Sequence, residues 1–346
     1  MANKLVIAPA PHVQSTRSTA SIMRDVVIAL LPALAVSTYV FGWNVLAVTA
    51  LSVAACVAFE FLIQKFLVRG ELTVCNWSAV VTGVLLAFNL PATIPWWIVV
   101  IGAFVAIAVG KMPFGGLGKN PFNPALVGRV FLLIAYPVQM AGKSAFALPE
   151  GIPDALSGAS PLAAMREGLG QAQSAALKAG AEFDFGGFCS GFFGDKIDFL
   201  RMFFGSIAGS MGEVAALMLL VGFVYLLWRK VITWHTPVTI FATMAVFAFV
   251  VALARGGEGA LLWQFPLFHL LAGGAMLGAI FMATDYSTSP MTVKGSVIFA
   301  VGIGVITMLI RLWGAYPEGM SFAILIMNAT VPLINKYVKP KRFGVK

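Results

Sequence analysis

The chain has 346 residues, of which 60% are hydrophobic and only 11% charged, with a formal net charge of +9. Mean hydropathy is +0.91, more apolar surface than a soluble domain of this length can use, and several apolar runs reach the ~20 residues that a spanning helix needs. This places the chain among all-α polytopic membrane proteins, and the lack of alternating strand patterns argues against a β-barrel.

The first 25 residues, MANKLVIAPAPHVQSTRSTASIMRD, lack the compact apolar core and small-residue cleavage site of a signal peptide. The first spanning helix is expected to serve as an uncleaved insertion signal. Ten membrane segments are expected: 25–42, 45–64, 77–90, 95–111, 123–140, 206–228, 236–254, 262–283, 295–312 and 319–336. Segment 77–90 is short for a full span and is expected to be tilted or broken.

With the N-terminus inside, most Lys and Arg fall on the cytoplasmic side, among them Lys65, Lys111, Arg129, Arg229 and Lys294. The short outside loops hold Arg255 and Arg311. This is the positive-inside pattern. It puts both termini in the cytoplasm and residues 141–205 outside. The positive charge thus tracks topology, and no nucleic-acid partner is expected. Three regions result: residues 1–140 with the first five helices, 141–205 outside the membrane, and 206–346 with the second five.

Gly83–Pro95 (GVLLAFNLPATIP) and Gly278–Pro290 (GAIFMATDYSTSP) share Gly, Thr and Pro at equal spacing, and each ends a membrane segment in a polar break. Equal spacing with opposite orientation is what an inverted repeat of five plus five helices produces. A further break, FGGLGKNPFNPALVGR (Phe114–Arg129), carries Asn120 and Asn123. It reads either as a cytoplasmic loop with turn chemistry or as a site for a polar, planar ligand, since such breaks survive at membrane depth only where protein or a cavity covers them.

Three carboxylates lie in or beside the apolar segments: Glu60, Glu213 and Asp285. Such groups are costly in a membrane and tend to face a bundle interior or an ion path. The alternative is a carboxylate satisfied by a helix N-terminus or a basic neighbour. Cys56, Cys75 and Cys189 show no CxxC spacing, and His12, His235 and His269 are scattered. A metal or iron–sulfur site within this chain is therefore not expected.

In the long polar interval, Ser160-Pro161 reads as a helix start, with Ser at the cap and Pro at the first helical position. The preceding Asp154-Ala155-Leu156-Ser157-Gly158-Ala159-Ser160 is similar to the flavinylation signal Asp-x-x-Ser/Thr-Gly-Ala-Thr/Ser. The whole chain resembles the D subunit of the Rnf ion-translocating ferredoxin:NAD⁺ oxidoreductase, and less closely the B subunit of the sodium-pumping NADH:quinone reductase, which is longer at its N-terminus. The stretches PHVQSTRSTASIMRDVVIALLPAL, GGLGKNPFNPALVGR, GSMGE and FMATDYSTSP carry the resemblance in order.

The resemblance implies FMN attached by a phosphoester to Ser160, where the family usually has Thr, with Asp154, Ser157, Gly158 and Ala159 forming the signal read by a flavin transferase. It implies a second, non-covalent flavin, riboflavin, at Asn120 and Asn123, and an ion path through Glu60, Glu213 and Asp285 for Na⁺ or H⁺. It further implies a urea-channel-like fold in the cell (inner) membrane, surrounded by lipid and by the other subunits of an Rnf-type complex. A channel or secondary transporter for a small polar solute remains the alternative from another class, since an inverted repeat and mid-membrane breaks suit it equally well.

Overall fold

The computed structural model describes residues 18–69, 73–142, 160–180, 182–195, 197–205, 209–213 and 216–339. Asp154, Ser157, Gly158 and Ala159 lie outside the described residues, as does His12. Every regular element among the described residues is helical.

The first half contains α1 (Thr19–Phe41), α2 (Asn44–Ile63), α3 (Ser78–Phe88), α4 (Trp96–Phe104), α5 (Pro124–Ala135) and the short α6 (Pro137–Ala141). Then come α7 (Pro161–Ala179), α8 (Phe185–Asp195) and α9 (Phe199–Phe204). The second half contains α10 (Ala216–Trp228), α11 (His235–Ala254), α12 (Leu261–Leu271), α13 (Ala275–Leu277), α14 (Val293–Trp313) and α15 (Met320–Tyr337). Local chemistry sets several starts. Ser18, Asn123, Ser160 and Thr292 each accept a backbone N–H as N-caps of α1, α5, α7 and α14, satisfying donors that a helix start leaves open.

Five helical stretches are long and apolar enough to cross a membrane: Thr19–Phe41, Asn44–Val68, Trp96–Phe114, His235–Ala254 and Val293–Trp313. A sixth is the pair Leu261–Leu271 and Ala275–Met282, bent by 65°. The protein is thus a multi-pass membrane protein. Of the remaining sequence-predicted segments, 77–90, 123–140 and 319–336 hold shorter or more polar helices, while in 206–228 the described Gly209–Glu213 is non-helical and the helix begins at Ala216. The expectation that 77–90 is short for a full span holds: α3 has 11 residues, about 16 Å at 1.5 Å per residue, and it stops at Asn89.

Within each half the packing follows the same order. Helix α2 packs on α3 and α4; α11 packs on α12 and α14. Across the halves, α1 packs on α10 and α5 on α15. The α1–α10 seam is close because Gly222 faces the Ala29 carbonyl, which a Cβ would meet at 2.4 Å. An ion pair closes one end of this seam: Arg229 Nε donates to Asp25 Oδ2 at 3.1 Å, and Tyr225 Oη donates to Asp25 Oδ1 at 3.3 Å.

The break after α3 is satisfied by the segment Gly209–Glu213. Gly212 N donates to the Phe88 carbonyl (2.7 Å) and Met211 N to the Leu90 carbonyl (3.1 Å). The buried Ser37 Oγ donates to the Met211 carbonyl at 2.5 Å. This accounts for non-helical backbone inside an apolar fold: protein groups take its donors and acceptors.

Three helices widen into π turns, at Gln64–Val68, Val105–Val109 and Gly278–Met282. Exposed tryptophans cluster at helix ends: Trp43, Trp96, Trp228, Trp234, Trp263 and Trp313. Their amphipathic rings suit the headgroup level of a bilayer.

Candidate functional site

Two polar regions lie at opposite ends of α3. The first surrounds Ser78 at its start. Lys111, which follows the α4 π turn, reaches back here and is only 2% exposed. Its ammonium donates to Glu60 Oε2 at 2.6 Å and to Ser78 Oγ at 2.7 Å. The other oxygen of Glu60 accepts from Gln64 Nε2 at 3.3 Å, and Gln64 is bonded in turn to Thr73. Glu60 is 1% exposed. A carboxylate buried this deeply is tolerable only with such a partner.

Lys111 and Ser78 also form part of the wall of an open-mouthed cavity of about 80 Å³. Asn120, Asn123, Asp285 and Tyr286 line the same cavity, with apolar side chains of α1, α3 and α10 around them. A mostly apolar cavity with a few convergent polar groups is the usual form of a small-molecule site.

Its polar groups are partly used by the protein. Asn123 Oδ1 caps α5 through Ala125 N (3.1 Å), and Asn123 Nδ2 donates to the Met282 carbonyl at 3.3 Å. Asn120 Nδ2 donates to the Phe122 carbonyl at 2.9 Å. Asp285 accepts from Ser287 Oγ (2.9 Å) and Thr288 Oγ1 (3.3 Å). A carboxamide carries two N–H donors and an ammonium three. Among the described residues, Asn120, Asn123 and Lys111 therefore each keep one N–H, and Asn120 its carbonyl oxygen, without a protein partner.

The second region lies at the other end of α3 and contains Ser160. Arg129, on α5, donates to Asn89 Oδ1 and forms an ion pair with Glu318. Glu213 is 3.9 Å from the same guanidinium. Glu318 Oε1 accepts from Gly274 N at 2.5 Å, at the bend between α12 and α13. Arg311 braces that bend by donating to the carbonyls of His269 (2.5 Å) and Ala272 (2.9 Å). Ser160, Glu213, Arg129, Asn89 and Glu318 all line one small cavity. Ser160 is 8% exposed, and its hydroxyl accepts from Ala163 N at 3.3 Å. Arg129 Nε is buried and has no partner.

The six described residues singled out from the sequence thus fall into two groups. Asn120, Asn123 and Asp285 share one cavity, with Glu60 tied to its wall through Lys111. Ser160 and Glu213 share the other. Glu60 is not an isolated intramembrane acid, because it has a basic neighbour as well as a bundle-interior position. Lys111 and Arg129, which the charge pattern counts on the cytoplasmic side, and Arg311, which it counts in an outside loop, are buried in these networks at 2%, 5% and 6% exposure, and Arg129 lies with Ser160 at the end of α3 opposite Lys111, against its cytoplasmic count. Hydropathy places a cation near a segment end but cannot say whether it turns inward. Glu318, which no sequence signal picks out, sits in a short GAYPEGM stretch with no pattern that marks it.

The three cysteines are free. Cys189, on α8, is buried, and burial pushes its thiol up to about 12. No group of three or more His, Cys, Asp or Glu suited to a metal ion occurs among the described residues.

Residues 6–344 match the model of the NQR2, RnfD, RnfE family. The chain belongs to this family. It is 45% identical over 343 residues to the D subunit of the Na⁺-translocating ferredoxin:NAD⁺ oxidoreductase complex of Acetobacterium woodii, covering 99% of this chain and 96% of that one. It is 39% identical to the D subunit of the proton-translocating ferredoxin:NAD⁺ oxidoreductase complex of Clostridium ljungdahlii, covering 99% and 97%. It is 37% identical to the D subunit of the ion-translocating oxidoreductase complex of Vibrio vulnificus, covering 98% and 99%. The family placement inferred from the sequence motifs is therefore correct.

Proposed function

We propose that this chain is the flavin-bearing membrane D subunit of an Rnf-type complex, which couples electron transfer between ferredoxin and NAD⁺ to movement of Na⁺ or H⁺. Full-length similarity to relatives with that name supports the assignment. The observation that carries the flavin reading is the split of the motif residues between two cavities at opposite ends of one short helix. Each cavity has chemistry suited to one flavin.

In this reading FMN is joined to Ser160 Oγ through a phosphoester. The residues fit the group. The hydroxyl borders a cavity, the start of α7 offers backbone amides to a phosphate, and the unpartnered Arg129 Nε lies in the same lining. A flavin transferase would read Asp154, Ser157, Gly158 and Ala159. The other cavity would hold riboflavin. There the spare N–H groups of Asn120 and Asn123 and the free oxygen of Asn120 would hold it by hydrogen bonds. The isoalloxazine ring, when bound, accepts and passes on electrons. The chain's own residues hold and orient it and keep bulk water from it. Glu60, Glu213 and Asp285 mark the ion path, two of them near the first cavity and one beside the second.

The same proposal includes ten membrane passes arranged as an inverted five-plus-five repeat in the cell membrane, with both termini cytoplasmic and Ser160 outside. The matched packing of α2 and α11 supports it. So do the two similar breaks, since Asn89 ends one beside Ser160 while Asp285 ends the other beside Asn120. Remaining subunits of the complex would supply the electron donor and acceptor.

In-gel fluorescence of denatured protein, made with the transferase co-expressed, tests the covalent flavin. Fluorescence that disappears in Ser160→Ala and persists in Ser160→Thr is expected. A dark wild-type band would refute attachment here and return the channel reading to the front.

A further inference from the structure

Glu60 is bonded on two sides. Its Oε2 faces Lys111 at the cavity wall, and its Oε1 faces Gln64, which leads to the exposed Thr73. Lys111 likewise has two partners and one N–H left over, beside the cavity that holds Asn120, Asn123 and Asp285. One ammonium therefore stands between a buried carboxylate, linked through Gln64 to the exposed Thr73, and a cavity that holds the spare N–H groups of Asn120 and Asn123 together with the Asp285 carboxylate. Near-neutrality is enforced at such depth, since a buried charge left without a partner is strongly unfavourable.

We propose that Lys111 couples negative charge arriving in this cavity to cation uptake at Glu60. The inference rests on the reading of the cavity as a flavin site. An electron delivered from a redox carrier of a neighbouring subunit adds one negative charge to the cavity's occupant. The Lys111 ammonium turns its hydrogen bonds toward that charge and leaves Glu60 Oε2. Glu60, now unpaired, takes up one Na⁺ or H⁺ by way of Gln64 and Thr73. One electron and one cation have entered, so the local charge balance is restored. Loss of the electron to the next carrier returns Lys111 to Glu60 and expels the cation. Ser78 is a positioning residue, because its hydroxyl accepts from Lys111 and holds it in the resting pose.

The test uses the assembled complex, held anoxic and either oxidised or reduced with dithionite. A hydrophobic carbodiimide is added, which modifies a carboxyl that has lost its ion pair and gained a proton. Modification of the Glu60 peptide is read by mass spectrometry, with and without NaCl, and acid-extractable flavin is quantified in the same samples. We expect modification of the wild type to rise about tenfold on reduction, the equivalent of one decade in the pairing equilibrium, and NaCl to suppress it where Na⁺ is the ion. Lys111→Gln makes modification high in both states, while Lys111→Arg keeps the redox dependence. Ser78→Ala, which leaves both charges in place, raises modification in the oxidised state only.

Equal modification in oxidised and reduced wild type, with extractable flavin present, overturns the role of Lys111 alone. Absence of extractable flavin from complex that carries covalent flavin overturns the cavity reading and this proposal with it.

Discussion

Arg129→Met removes the centre of the network beside Ser160. The guanidinium is buried and serves Asn89 on α3, Glu318 before α15, and Glu213. Glu318 in turn holds the α12–α13 bend through Gly274 N. The substitution takes the cation away from the buried Glu213 and the partly buried Glu318, and the hydrogen bonds of the nearby Arg311 go to backbone carbonyls. Breaking one buried pair costs about 3–5 kcal/mol. For a chain of this size that is a fall on the order of 5–10 °C in Tm. The assay is thermal unfolding of detergent-purified protein followed by size-exclusion chromatography. Arg129→Met with Glu318→Gln, which removes one stranded charge, should recover about half of the loss. A Tm within about 1 °C of wild type for Arg129→Met, where ~1 kcal/mol already moves Tm by a few degrees in smaller domains, would refute the argument that this network ties α3, α5, the bend and α15 together.

Other outcomes follow from local geometry. Gly212→Ala places a Cβ 2.8 Å from the Phe88 carbonyl and 2.7 Å from Leu277. It should cost about 1–3 kcal/mol as an overpacked contact, seen as lower folded yield by fluorescence-detected chromatography. Ser160→Ala should lower stability by about 1 kcal/mol through loss of the α7 cap, and Ser160→Thr should not; Tm of transferase-free preparations separates this from loss of flavin. Cys75 is exposed while Cys56 and Cys189 are buried, so a maleimide at pH 8 should label Cys75 in native protein and the other two only after denaturation. Because the Cys189 thiol is raised in the folded state, from an ordinary value of 9.0 to about 12, its contribution to stability is complete below pH 9. It is lost as pH rises toward 12; Cys189→Ser should flatten the alkaline limb of a pH–stability curve.

Much of the fold is legible because membrane helices advertise themselves by length and apolarity. The α1, α2, α11 and α14 segments are clear in the sequence for that reason, and so is the shortness of α3. Ser160-Pro161 and Asn123-Pro124 announce helix starts by local chemistry alone. The charge networks were hidden for the opposite reason. Lys111 and Glu60 are 51 residues apart, and Arg129 meets Glu318 only after the second half of the chain has folded onto the first. A cation at the edge of an apolar run has the same hydropathy whether it enters a loop or turns inward. Residue type located Glu60 and Asp285 as costly groups, but their partners come from packing across the bundle.

The three π turns set the direction of the chain beyond them. Each contains one residue more than an α-helical turn would, and one residue of helix is about 100° of rotation at 3.6 residues per turn. Lys111 lies two residues beyond the turn at Val105–Val109, Asp285 three beyond the turn at Gly278–Met282, and Gln64 begins the turn at Gln64–Val68. Deleting a single residue from Val105–Val109 would restore an ordinary helix and swing Lys111 away from Glu60 toward a different face. The alignment of these polar groups therefore depends on the count of residues in the helix as well as on their identity. An indel there would be more damaging than many substitutions.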